Sequence, residues 1–116
     1  MALARIYTGN DGKSHFEDLD PNFDPTTGAS TGLFPEASTG ISYRSQPAGT
    51  LIDFHPAPRR QWLITLSGVM EIEIGDGTKR RFGTGDAMLA EDTTGQGHIS
   101  RVVGDEPRVT VIITMP

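Results

Sequence analysis

Cysteine is absent from this chain, and that removes two chemistries at once: no disulfide can staple the fold and no thiolate zinc centre can form. Long apolar runs are missing as well. No stretch approaches the ~20 apolar residues of a membrane span, and residues 1–9 hold no apolar signal core, so the expectation is a soluble, cytoplasmic protein with no membrane partner. Positive charge is scarce: 10 Lys and Arg face 15 Asp and Glu, a net charge of −5. Arg59, Arg60 and the Lys79-Arg80-Arg81 run are too few and too scattered for a phosphate-binding surface, which argues against nucleic acid as a partner. Nor does the chain carry a Ser/His/Asp arrangement, a phosphate-cradling glycine loop, a dinucleotide fingerprint, an internal repeat or a low-complexity tract.

What is abundant is turn chemistry. With 14 Gly and 8 Pro among 116 residues, the chain reads as many short strands joined by turns, in one domain large enough to bury about two thirds of its unfolded surface. An all-β fold follows. Residues 1–40 read as a turn-rich arm, with an Asn10-Asp11-Gly12 turn, short strands at 4–7 and 14–17, and Leu33 and Phe34 as an apolar anchor. This arm either pairs with a neighbouring subunit or lies as a solvated loop.

From residue 41 the punctuation becomes regular, predicting strands at 41–46, 50–55, 61–66, 69–74, 79–82, 87–90, 98–103 and 108–114, enough for a jelly-roll barrel. The Gly75-Asp76-Gly77-Thr78 step marks a hairpin. In the strand before it, Met70, Ile72 and Ile74 share one face and Glu71 and Glu73 the other, the pattern of a half-buried strand. The last segment, 109–113, is nearly continuous in apolar residues, as in a strand covered on both faces.

Through these segments run Gly49, His55, Gln61 and Gly68, then Gly85, Glu91 and His98. The first group keeps the spacing G-x5-H-x-H-x3-E-x6-G, with Ala57 in place of the second histidine and Gln61 in place of the glutamate. The second approximates G-x5-P-x-G-x2-H-x3-N, with two extra residues before His98 and Val102 in place of the asparagine. In these spacings residues 41–115 resemble the cupin superfamily, with a short spacer between motifs. The resemblance implies a double-stranded β-helix barrel over residues 41–116. It also implies one divalent metal ion (Fe, Mn, Ni, Cu or Zn) on His55, Gln61 and His98.

The residues themselves leave the chemistry open. By alternation His55 shares a face with Leu51 and Asp53, and Gln61 with Leu63 and Thr65, while Trp62 points the other way. Two imidazoles and a carboxamide then either ligate a metal or serve as hydrogen-bonded polar groups in a ligand pocket, since an unpartnered buried polar group costs about 1–3 kcal/mol. Glutamine is the weaker donor, being neutral. His98 and Glu91 are the candidate acid–base residues, and His15, Asp53, Glu91 or Asp92 could complete a site. Arg59, next to Arg60 at the expected barrel mouth, and Arg44 on an earlier strand are candidates to grip a substrate anion; solvated loop charges are the alternative.

Two functional classes remain: a divalent-metal-dependent enzyme of unassigned reaction acting on a small polar or anionic molecule, or a metal-free, non-catalytic binding module for a small molecule or sugar. A homodimer is expected, because the arm, the apolar last strand and the lack of disulfides favour covering sheet edges with a second copy.

Overall fold

The computed structural model describes residues 2–30 and 37–116, so Leu33 and Phe34 lie outside the described residues. The eight segments expected after residue 40 are all strands, with ends moved by no more than one residue. They are β3 (Gly40–Gln46), β4 (Leu51–His55), β5 (Gln61–Ser67), β6 (Val69–Glu73), β7 (Lys79–Phe82), β8 (Ala87–Glu91), β9 (His98–Val103) and β10 (Arg108–Thr114). Two more precede them, β1 (Leu3–Thr8) and β2 (Ser14–Asp18). Among the described residues there is no helix, and hence none long and apolar enough to cross a membrane.

A six-stranded sheet in the order β2-β1-β8-β5-β10-β3 faces a four-stranded sheet in the order β4-β9-β6-β7. Ile72, Met70 and Phe82 from the smaller sheet pack on Ala4, Ile6, Met88 and Ala90 from the larger one, all of them buried. That core is why the apolar parity of β6 matters: Met70, Ile72 and Ile74 do face inward. Glu71, on the opposite parity, is nonetheless 8% exposed. Arg81 and Arg101 close over it, their carbon stems shielding a carboxylate whose charge they balance.

The expected arm at residues 1–40 is corrected at its start. β1 runs parallel to β8, with Ile6 opposite Ala90, and β2 extends the sheet beyond it. Ala4 and Ile6 are 1% and 0% exposed, so the first hairpin belongs to the barrel core. A second correction concerns β10. Val109, Val111 and Ile113 on its outer face are only half-buried, and their neighbours Tyr43 and Ile41 on β3 are 71% and 67% exposed, so the described residues leave that face uncovered.

Two close approaches shape the interior. At Gly97, φ is 74°, and a side chain there would strike the His55 carbonyl, so glycine lets the start of β9 seat against the end of β4. Gly68 (φ 75°) admits Pro107 and Arg108 against the β5–β6 turn in the same way.

Candidate functional site

Between the sheets lies a cavity of about 370 Å³, within the size range of small-molecule sites. Strand register sorts its lining. In the larger sheet, Gln61 stands opposite Ala90, Leu63 opposite Met88 and Ile112, and Thr65 opposite Thr110, which in turn faces Arg44. In the smaller sheet His55 pairs with His98, Ile52 with Ser100, and Ser100 with Ile72. Asp92, two residues past the Ala90 that stands opposite Gln61, holds His98, while Arg108 reaches Thr65 toward the other end of β5, so the imidazoles and Arg108 lie at opposite ends of the cavity with apolar residues between.

His55, Gln61, His98, Arg44 and Arg59 all line this cavity. The two imidazole rings are 4.7 Å apart, centroid to centroid. The parity argument for β4 failed in one respect: the register slips between Ile52 and His55, so Ile52 lines the cavity with His55, while Leu51 (61% exposed) and Asp53 do not.

His55 Nδ1 lies 2.8 Å from the Asp53 carbonyl oxygen, and that contact requires N–H at Nδ1. His98 Nδ1 lies 2.6 Å from Asp92 Oδ2. The same carboxylate oxygen accepts from Ser14 Oγ at 2.6 Å. Asp92 is fully buried and His98 4% exposed, so a Ser14–Asp92–His98 chain orients this ring from behind and leaves Nε2 to the cavity contents.

Glu91, expected next to His98 as an acid–base residue, is not brought there. It accepts from Arg5 Nη1 (3.2 Å) and Arg60 Nε (2.8 Å), because the strand alternates and Asp92 takes the inward position. His15 is likewise elsewhere, bound through Nε2 to Asp11.

Arg108 is the residue sequence reasoning missed. It lines the cavity, is 2% exposed, and donates from Nη2 to Thr65 Oγ1 at 3.3 Å. Its Nε meets no protein acceptor, and among the described residues no carboxylate lies within ion-pair reach of it. Burial, and then the charge of Arg44, pull its pKa well below the ordinary arginine value, to about 10. The available signal was parity: Arg108 shares the inward face of β10 with Thr110 and Ile112.

For a divalent metal the cavity offers two imidazole nitrogens and the Gln61 amide. Among the described residues no group of three or more His, Cys, Asp or Glu is gathered, no carboxylate lines the cavity, and three guanidiniums do. By itself this set does not fit a resident dication, which needs more donors and compensating negative charge.

No protein-family model and no curated protein matches the chain. Solved structures do. A cupin 2 conserved barrel domain protein from Salinispora arenicola is similar at 19% identity and TM-score 0.53, over 72% of this chain and 70% of that one. An uncharacterized conserved protein with a double-stranded β-helix domain from Klebsiella pneumoniae is similar at 21% identity and TM-score 0.53, over 86% and 88%. A conserved protein of unknown function from Streptococcus pyogenes matches at 24% identity and TM-score 0.51, over 72% and 70%. With its strand order, its paired sheets and these likenesses, the chain has the cupin-superfamily fold, a double-stranded β-helix barrel.

Proposed function

We propose that the barrel binds a small anionic molecule, gripped by Arg108 with Arg44 beside it. The observation that carries this reading is the buried guanidinium with no carboxylate in ion-pair reach among the described residues. A charged group removed from water is destabilising unless paired, and truncating the partner of such a charge typically costs about 3–5 kcal/mol. Here a second cation, Arg44, adds repulsion. An anion relieves both, accepting hydrogen bonds from the guanidinium and offsetting the Arg44 charge. His98, oriented by Asp92, is the group that would exchange a proton with that molecule through Nε2, and Arg59 lies at the same end to orient a carboxylate.

The test compares thermal unfolding of the wild type and Arg108→Met in acetate, phosphate or chloride-only buffer. In chloride-only buffer the variant should melt higher, since it no longer buries an unpaired charge. Acetate or phosphate at about 100 times Kd should stabilise the wild type by about 2.7 kcal/mol and leave the variant unmoved. Equal responses from the two proteins would overturn the reading.

A second reading rests on the imidazole tautomers. Because Nδ1 of both His55 and His98 is already engaged, the Nε2 atoms are the ones available to a divalent metal, with the bound anion supplying the charge the protein lacks.

A further inference from the structure

We infer that the ligand is an elongated, two-ended molecule: a medium-chain carboxylate whose far end carries a second hydrogen-bonding group. This inference rests on the anion-binding reading above and adds the ligand's shape and chemical class. Arg108 reaches Thr65, while Asp92, which holds His98, follows closely on the Ala90 that stands opposite Gln61, so the guanidinium end and the imidazole end lie four residues apart along β5, a span of about 13 Å at the usual rise of a strand. Between them the described residues form an apolar belt of Ile52, Leu63, Met70, Ile72, Met88 and Ile112, with Ser42 and Ser100 among them.

A compact anion such as phosphate could occupy the Arg108 end alone and would leave this belt and both imidazoles unused. An alkyl chain covers the belt. At the far end the guanidinium of Arg59 donates to a second carboxylate, as His98 Nε2 does once it carries a proton, whereas a hydroxyl donates to the bare Nε2 of either ring, with Asp92 and Ser14 fixing one of them. The two methionines on the belt suit a flexible chain, because thioether side chains repack around irregular shapes.

Calorimetric titration of the full chain with acetate, butyrate, hexanoate, octanoate, octylamine and suberate tests this. Affinity should rise about fourfold per added methylene, the ratio expected from burying each one, until the belt is filled. Octylamine should not bind. Suberate should bind more tightly than octanoate in the wild type and lose that advantage in His98→Gln, a variant that keeps a polar side chain of similar reach. Flat affinity from acetate to octanoate, still dependent on Arg108, would overturn the elongated ligand and leave the anion site standing. Absence of any Arg108-dependent binding across the series would overturn both, and an unchanged suberate preference in His98→Gln would overturn the two-ended shape.

Discussion

Arg108 and Gln61 illustrate how one side chain sets the charge of a closed space. The guanidinium makes the cavity cationic, and the amide at Gln61 does nothing to offset it. If a divalent metal enters on His55 and His98, Gln61→Glu should therefore tighten it, by adding a negative charge and a better oxygen donor at a position already 8% exposed and aimed inward. Removing either imidazole should abolish binding. Calorimetric titration of zinc or manganese into the wild type, Gln61→Glu and His98→Ala, each with suberate present to bring a carboxylate to the imidazole end, measures this. Identical affinity in the wild type and Gln61→Glu would place the metal away from Gln61. The two imidazoles, Gln61, Arg44 and Arg59 could be named from sequence, because turn spacing and strand parity carry them to one interior. Asp92 could be named only as one acid among several, since nothing local separates it from Glu91 beyond which of them turns inward.

At the scale of elements, the β1–β2 hairpin is the informative piece. Its polar turn and its separation from the regular pattern after residue 40 read as an appendage. The fold uses it as two sheet strands, with Ala2 N held by Asp86 Oδ1 and β2 tied by Asp18 to Arg80 of β7. It also delivers Ser14 to the Asp92 carboxylate across 78 residues of sequence. Ile6→Ala should accordingly cost about 2–5 kcal/mol, the loss expected for a fully buried isoleucine, whereas an appendage would lose almost nothing. Urea denaturation followed by far-ultraviolet circular dichroism decides it, and a loss under about 0.5 kcal/mol would return the hairpin to the status of an arm.

At the scale of the whole molecule, the outer face of the six-stranded sheet is the unusual surface. Ile41, Tyr43 and Leu66 are exposed there, and Val111 and Ile113 are half-buried beside them. Contiguous apolar surface of this kind on a sheet marks an interaction site, and among the described residues β3 is an edge strand, which favours pairing with another chain. We expect a second copy of the chain to cover it. Light scattering at micromolar concentration should return the mass of a dimer for the wild type and of a monomer for Tyr43→Lys. A monomeric wild type refutes the dimer.

Alternation and turn chemistry act between near neighbours in the chain, so the sequence by itself determined the strands, the barrel and which residues on β5 and β6 look inward. The cationic character of the cavity was decided only by tertiary structure. Whether Arg108 meets a carboxylate depends on strands brought together from distant parts of the chain. The bulge at Ile52, the choice of Asp92 over Glu91 and the reach of Ser14 have the same origin. Each is a contact between residues far apart in sequence, so no local pattern encodes it.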